Sequence, residues 1–163
     1  MKKILTIVLL FVTGYANAQN TTGSKISADD MQKVLDQENA ARKEVGVPPV
    51  IWSADLAKYA QEWADHLASS KSFEHRSQHQ YGENIYMGSG NYTPLDASLA
   101  WYSEKGKYKY GKFNGKGGAG HYTQMIWKNT TQVGVGVAFD SDGKIYVVAN
   151  YSPPGNWMGE LPY

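Results

Sequence analysis

The sequence of 163 residues predicts an α+β fold in which helices come first and strands follow. Three segments before residue 104 place apolar residues at helical spacing, and each begins with a side chain that can cap a helix. Beyond residue 132 the spacing changes to strict alternation, which is typical of β-strands. This order favours a layered α+β domain over alternating βαβ units, and the length suits one domain with one core.

The first two helices are predicted from their caps and their apolar stripes. Ser27 and Asp30 form a capping-box pattern, and the helical spacing that follows ends at Gly46. Ser53 can cap the second helix. The apolar stripe of this second helix consists of Leu56, Ala60, Trp63, Ala64 and Leu67.

The third helix and the strands follow from equally local signals. Thr93, Pro94 and Asp96 mark a helix start, and the predicted apolar face is formed by Leu95, Leu99 and Tyr102. Residues 133–139 and 145–149 are β-rich and flank a turn at residues 140–143, which predicts an antiparallel hairpin. Residues 104–120 are rich in glycine and lysine, and we expect a mobile surface loop there.

The N-terminus has the three parts of a secretory signal. Lys2 and Lys3 precede an apolar run over residues 4–12, and small residues at Ala16 and Ala18 offer a cleavage site. We expect residues 1–18 to be a signal peptide, residues 19–26 a flexible lead-in and residues 27–163 the folded domain. The apolar run is far shorter than the ~20 residues that span a bilayer, so no transmembrane anchor is expected after cleavage. The predicted location is therefore secreted, meaning periplasmic or extracellular.

Composition and charge narrow the classes of function. The chain contains no cysteine, so no disulfide can stabilise the exported domain. Cleavage after residue 18 removes two lysines and no acid, which leaves 14 basic residues against 15 acidic ones and a net charge of −1. Nucleic-acid-binding domains usually carry a strong basic excess, so we expect no nucleic-acid partner.

The four histidines are the candidate metal ligands. His75 and His79 stand four residues apart, a spacing that on a helix would place both imidazoles on one face. The residues between them include no glutamate of the kind that a zinc-protease helix uses. From the residues alone, histidines and glutamates of this chain can equally form a hydrogen-bonded network that ties loops to the core.

Two segments near the C-terminus mix aromatic residues with groups that bind metals or donate hydrogen bonds. Residues 120–127 read Gly-His-Tyr-Thr-Gln-Met-Ile-Trp, and residues 151–157 read Tyr-Ser-Pro-Pro-Gly-Asn-Trp. Together they resemble the two signature stretches of the CAP superfamily, which includes cysteine-rich secretory proteins, insect venom antigens and plant pathogenesis-related class 1 proteins. The resemblance covers about residues 31–163 and is especially marked to the plant members. Ala119 and Ala149 stand where cysteines usually adjoin the signatures, which favours a cysteine-free bacterial member.

The resemblance implies a three-layer α-β-α sandwich with a mainly antiparallel central sheet. It also implies a cleft in which His75, Glu83, Glu104 and His121 converge. The two histidines are then expected to bind zinc or another divalent cation weakly. The two glutamates are expected to act as further ligands, as supports for the imidazoles, or as candidate catalytic bases.

Five neighbouring residues are expected to support this cleft. We predict that two glycines allow close approach of the backbone, that two amides bridge backbone groups and that one tyrosine walls the site. These residues are, in that order, Gly82, Gly120, Asn84, Gln124 and Tyr122.

The leading prediction is a monomeric secreted protein that binds a small molecule, a lipid or an envelope component through the cleft. Two alternatives stay open. A metal-assisted hydrolase would use His75 and His121 as ligands and Glu83 or Glu104 as the base. A carrier of sterols or fatty acids would use an apolar pocket flanked by residues 85–95. The sequence has no nucleophile-elbow pattern and no metal-protease helix, so binding is favoured over catalysis.

Overall fold

A computed structural model describes residues 22–78 and 80–163. The predicted signal peptide and residues 19–21 of the predicted lead-in lie outside this part of the chain. In chain order the elements are α1 (Ala28–Glu44), β1 (Ile51–Trp52), α2 (Ala54–Ser70), β2 (Gly82–Ser89), α3 (Pro94–Ser103), a 3-10 helix (Glu104–Lys107), α4 (Gly120–Met125), β3 (Gln132–Phe139) and β4 (Lys144–Ser152). None of the helices in the described ranges is long and apolar enough to cross a membrane.

The strands form one sheet in the order β1-β3-β4-β2. β1 pairs with β3 in parallel, while β3 with β4 and β4 with β2 are antiparallel, so the sheet is mainly antiparallel as predicted. The predicted hairpin is confirmed. Its turn is closed by Asp140, whose Oδ1 accepts hydrogen bonds from the backbone N–H groups of Asp142 at 2.8 Å and Lys144 at 2.9 Å.

Helix α2 covers one face of the sheet because β3 has glycines where the helix approaches. A Cβ atom on Gly134 would collide with the backbone of Ala57, and one on Gly136 would collide with the backbone of Gln61. The helix presents small residues to the sheet at Ala60 and Ala64, both fully buried. Alternate glycines in β3 and alanines in α2 thus bring the two backbones close together.

The opposite face of the sheet packs against α1, α3 and α4. Valines that alternate with the glycines of β3 join this core, together with apolar residues from each helix. Representative members are Val34 of α1, Trp101 of α3, Met125 of α4 and Val135 of β3, all buried. Helices on both faces of the sheet make the predicted three-layer α-β-α sandwich, which is confirmed.

The three predicted helix starts are confirmed by their caps. Ser27 Oγ accepts from the backbone of Asp30 at 3.0 Å, and Ser53 Oγ accepts from Leu56 at 3.3 Å. Thr93 and Asp96 form a complete capping box at the start of α3. Each side-chain oxygen satisfies a backbone N–H that has no partner within its helix.

The predicted apolar face of α3 is confirmed at Tyr102, which packs against the core, but is wrong at Leu99. Leu99 is 43% exposed, whereas Ala97, Ser98 and Trp101 are buried. The helix turns its small residues toward α1, where the Ser98 hydroxyl donates to Glu38 at 3.2 Å. Close approach of two helices and a buried hydrogen bond therefore outweigh the burial of one leucine.

Residues 22–26 are packed against the domain, although we expected them to be part of a flexible lead-in. Thr22, Ser24 and Ile26 are buried. Ser24 Oγ donates to the backbone carbonyl of Val135 at 2.6 Å, and the indole N–H of Trp52 donates to the carbonyl of Thr22 at 2.8 Å. This short segment belongs to the folded domain because its polar groups find partners there.

Candidate functional site

The first half of the site is a histidine held by a buried carboxylate. His75 lies in the irregular stretch between α2 and β2, and Glu83 is the second residue of β2. His75 Nδ1 lies 2.8 Å from Glu83 Oε1, and the same oxygen accepts from the backbone N–H of Arg76 at 3.1 Å. The Glu83 side chain is only 3% exposed and that of His75 is 54% exposed. The buried glutamate thus holds a solvent-accessible imidazole in place.

The second half repeats this arrangement with other elements. Glu104 begins the 3-10 helix after α3, and His121 is the second residue of α4. His121 Nδ1 lies 2.8 Å from Glu104 Oε1. Glu104 Oε2 accepts from the backbone N–H groups of His121 at 2.9 Å and Tyr122 at 3.3 Å. Both oxygens of Glu104 are therefore occupied in fixing the imidazole and the start of α4.

The structure brings both pairs to one cavity. The cavity has a volume of about 240 Å³, and its lining residues are His75, Glu83, Asn84, Glu104, Gly118, Gly120, His121 and Asn156. A wider groove of about 620 Å³ shares His75, Glu83 and Asn156 with it and continues past Tyr81 and Trp157. The four residues singled out from the sequence therefore lie together, although they come from four separate segments of the chain.

The hydrogen bonds determine which imidazole nitrogen can take a ligand. A carboxylate accepts hydrogen bonds, so in the neutral form of His75 and of His121 the proton belongs on Nδ1, which leaves the lone pair of Nε2 for a ligand. Imidazoles that ligate metals are usually held in this way, with a carboxylate on the other nitrogen. Each glutamate therefore supports its imidazole through one oxygen, and Glu83 Oε2 has no hydrogen-bond partner among the described residues.

The described residues do not supply a closed metal site. Among the described residues no group of three or more His, Cys, Asp or Glu side chains is placed to hold a metal ion. A structural zinc site uses four protein ligands, which this cleft does not supply. Two imidazoles fit a site in which water or a bound molecule provides the remaining ligands.

Comparison with known proteins assigns the family. Residues 35–151 match the family described as CAP, the cysteine-rich secretory protein family. The chain belongs to the CAP family. It is 38% identical over 164 residues to pathogenesis-related protein 1A of Nicotiana tabacum, with 98% of this chain and 92% of the relative covered. It is 40% identical over 134 residues to pathogenesis-related leaf protein 4 of Solanum lycopersicum, covering 81% and 82% of the two chains.

Solved structures show the same fold. The crystal structure of NaASP2 with Zn²⁺ matches with a TM-score of 0.75 and 28% identity, over 85% of this chain and 86% of that one. The structure of BmVAL-1 matches with a TM-score of 0.74 and 24% identity, over 86% and 84% of the chains. This protein is thus a CAP domain without cysteine that resembles pathogenesis-related class 1 proteins.

Three of the predicted supporting residues make the contacts we expected in this CAP cleft. Asn84 Nδ2 donates to the backbone carbonyl of His121 at 3.1 Å. Gln124 Oε1 accepts from the backbone N–H of Gly155 at 2.9 Å. A Cβ atom on Gly82 would collide with the end of the Gln124 side chain, so a larger residue would have to displace this buried amide.

The other two supporting residues have different roles from those predicted. No atom lies within 4 Å of a Cβ placed on Gly120, so close approach does not explain this glycine. Tyr122 is buried in the core, with its ring centroid 6.0 Å from that of Tyr102 and 5.7 Å from that of Tyr108. Burial raises the pKa of Tyr122 to about 12. Its side chain is a core residue, and only its backbone N–H reaches the site.

Asn156 is a cleft residue that the sequence reasoning missed. Its Nδ2 donates to the carbonyl of Gly120 at 2.8 Å, and its Oδ1 accepts from Thr123 Oγ1 at 2.7 Å. Its φ of 60° is left-handed, a conformation that asparagine tolerates better than most residues. The unusual run Pro-Pro-Gly-Asn between two aromatic residues was the sequence signal that could have revealed it. Asn156 connects the C-terminal tail to the start of α4 through these two hydrogen bonds.

The remaining histidines lie apart from the two pairs or outside the described residues. His66 is exposed on α2, and its ring stacks on that of Trp63 with centroids 4.4 Å apart. Residues 72–78 are not helical, so the helical pairing considered for His75 and His79 has no helix to support it. His79 itself lies outside the described residues.

A buried polar cluster lies beneath the cleft. Glu38 of α1 is fully buried and accepts from the Tyr151 hydroxyl at 3.1 Å. Asn84 Nδ2 donates in turn to the Tyr151 oxygen at 3.3 Å. Because Asn84 also contacts the carbonyl of His121, hydrogen bonds connect the interior of α1 to the start of α4. Burial is the main reason why the pKa of Glu38 is raised to about 7.

Proposed function

We propose that this CAP domain is a secreted binding protein whose cleft holds a divalent cation, zinc in the first place, through His75 and His121. The observation that carries the proposal is the pair of imidazoles on one cavity, each held at Nδ1 by a glutamate at 2.8 Å. The similar protein NaASP2 was crystallised with Zn²⁺, which supports the choice of metal. Two protein ligands imply weak binding that a bound molecule can strengthen.

Each residue then has a defined part in the proposed site. His75 and His121 would hold the ion through Nε2, and Glu83 and Glu104 would keep both rings in the correct tautomer. The ion would supply a Lewis acid that binds an oxygen of the partner molecule. Coordination needs neutral imidazole, so zinc affinity falls when the solution is acidified.

Binding is proposed over catalysis because three of the four glutamate oxygens are already engaged. Glu104 uses both oxygens for the imidazole and two backbone N–H groups, and Glu83 Oε1 has two donors, while the buried Glu83 Oε2 has no hydrogen-bond partner among the described residues. These hydrogen bonds suit carboxylates that position the imidazoles better than carboxylates that transfer protons. The hydrolase alternative predicts turnover that is lost in Glu83→Ala, while the binding function predicts none.

The alternative of a sterol or fatty-acid carrier gains no support from residues 85–95. These residues form most of β2 and the turn into α3. Ile85 is buried, whereas Met87 is 38% exposed and Tyr92 is 45% exposed. Tyr92 packs edge-on against Tyr86, with ring centroids 6.0 Å apart, and a few exposed apolar side chains on a surface are ordinary.

Export is part of the proposal and rests on the signal-like N-terminus together with the secretory family. Cleavage after Ala18 would leave Gln19 as the first residue. Mass spectrometry of protein collected outside the producing cells checks this, and an intact Lys2-Lys3 end would contradict it. A bacterial source, which the absence of cysteine favours, would place the protein in the envelope or the medium.

Calorimetry with zinc tests the metal function. The metal-free protein is titrated with zinc in parallel with His75→Ala and His121→Ala, each of which should abolish binding. Glu83→Gln should weaken binding roughly 10-fold, because a carboxylate that orients a ligand typically contributes that much. His66→Ala is the matched control and should bind like the wild type. Loss of binding in His66→Ala with retention in the other two histidine variants would exclude the proposed ligands.

A further inference from the structure

The segment between the 3-10 helix and α4 concentrates positive charge in an otherwise nearly neutral protein. Residues 105–116 contain five lysines and no aspartate or glutamate. Lys105 pairs with Glu44 at 2.6 Å. The other four are exposed and form no ion pair with any described residue. These four are Lys107, Lys109, Lys112 and Lys116.

The backbone that carries these lysines is tied to the C-terminal tail. The N–H of Phe113 donates to the carbonyl of Glu160 at 2.7 Å, and the N–H of Gly159 donates to the carbonyl of Phe113 at 2.8 Å. The ring of Tyr108 contacts that of Tyr163 with centroids 6.1 Å apart. The lysines therefore project from a backbone that is held at its middle, and not from a free loop.

The four unpaired lysines surround a single cavity. Its volume is about 320 Å³, and its lining includes all four lysines, the half-buried Tyr108 and Phe113, and no carboxylate. Four like charges around one concave surface repel each other, and a multivalent anion would relieve this repulsion. The lining of this cavity thus has the charge of an anion-binding site.

We propose that this lysine pocket, lined by Lys107, Lys109, Lys112 and Lys116, binds a phosphate-bearing anion. A phosphate carries nearly two negative charges and three acceptor oxygens, so one group can satisfy several ammonium groups at once. Lysine binds phosphate as a compact point charge and needs no fixed fork geometry. The aromatic rings of Tyr108 and Phe113 offer an apolar surface for the organic part of such a ligand.

The lysine pocket is a separate site from the histidine cleft, although the two adjoin. Ala119 lines the pocket, while its neighbours Gly118 and Gly120 line the cleft. The side chain of Lys107 packs along Gly118, with its Cδ 3.8 Å from where a Cβ would stand. Neither imidazole lines the pocket, so anion binding does not depend on the metal.

Calorimetry with pyrophosphate and vesicle co-sedimentation test this proposal at low ionic strength. Pyrophosphate represents a soluble phosphate compound, and vesicles of phosphatidylcholine with phosphatidic acid represent a lipid headgroup. The test variant is Lys109→Gln/Lys112→Gln. The matched control is Lys33→Gln/Lys58→Gln, which removes the same charge from exposed positions on α1 and α2.

The test variant should bind whichever probe the wild type binds roughly 30-fold more weakly than wild type. Each lysine near an anionic surface contributes about a factor of five in affinity, and the variant lacks two of them. The control should stay within about twofold of wild type. Binding of pyrophosphate supports a soluble ligand, and binding of the phosphatidic acid vesicles alone supports a lipid headgroup. Failure of wild type to bind either probe, or equal losses in both double variants, overturns the proposal. His121→Ala should keep anion binding although it should lose zinc binding, so the two proposals can fail independently of each other.

Discussion

Glu38 should control how the stability of this domain depends on pH in the neutral range. The carboxyl group is fully buried, and its Oε1 accepts from Ser98 Oγ at 3.2 Å and from the Tyr151 hydroxyl at 3.1 Å. Arg42, one turn along α1, attracts the ionised form of Glu38. Its side-chain N–H groups, however, donate to backbone carbonyls between residues 48 and 130. Desolvation outweighs these attractions and raises the pKa of Glu38 from 4.5 to about 7.

The direction of the effect follows from proton linkage. The folded state binds this proton more tightly than the unfolded state, so stability falls as the pH rises from 4.5 through about 7. A pKa raised by this amount corresponds to roughly 3 kcal/mol of unfolding free energy. Glu38→Gln keeps an acceptor oxygen and carries no charge at any pH. The variant should therefore gain roughly 3 kcal/mol relative to wild type between pH 4.5 and pH 8.

Urea denaturation at intervals from pH 4.5 to pH 8 measures this difference. Wild type and Glu38→Gln are compared with Glu62→Gln, which removes a carboxylate from the exposed face of α2. The control should follow the wild-type profile. Parallel profiles for wild type and Glu38→Gln would refute the reasoning, because they would mean that Glu38 takes up no proton on folding.

Three further outcomes concern the stability of the fold. Gly136→Ala should destabilise the domain by roughly 1–3 kcal/mol in urea, since the new methyl group meets the backbone of α2, whereas Gly120→Ala has open space and serves as the control. Thr93→Ala should cost about 1 kcal/mol in the same assay because α3 loses its capping box; a loss below 0.3 kcal/mol would contradict this. Reductant should leave the thermal midpoint unchanged, since the chain has no cysteine; a shift on adding reductant would contradict this.

Local signals were enough to predict several elements, and non-local pairing explains the rest. The caps at Ser27, Ser53 and Thr93 lie next to the helices they start. The hairpin of β3 and β4 is indicated by alternating and β-rich residues on either side of a tight turn. Strand β2 was not predicted, because its identity depends on pairing with the distant strand β4, with partners from 55 residues apart (Ser89 with Lys144) to 69 residues apart (Gly82 with Tyr151). The two-residue β1 is too short for any pattern to reveal.

The candidate site could be predicted only through family resemblance. His75 and His121 lie far apart in the sequence, so no spacing suggests that they meet. Resemblance brought the four residues together but left open whether the glutamates are ligands. Only the three-dimensional contacts show each carboxylate on Nδ1 of its histidine. Tyr122 illustrates the opposite error, since a residue in a signature stretch turned out to serve the core.

The central claim is that the Nε2 atoms of His75 and His121 bind one metal ion together. Long-range proton–nitrogen NMR of the histidine rings in ¹⁵N-labelled protein, recorded before and after zinc addition at neutral pH, tests it directly. We predict that both rings carry the proton on Nδ1 without zinc and that zinc shifts both Nε2 signals together, leaving His66 unchanged. A shift in only one of the two rings, or a proton on Nε2 of either ring, would contradict the shared site.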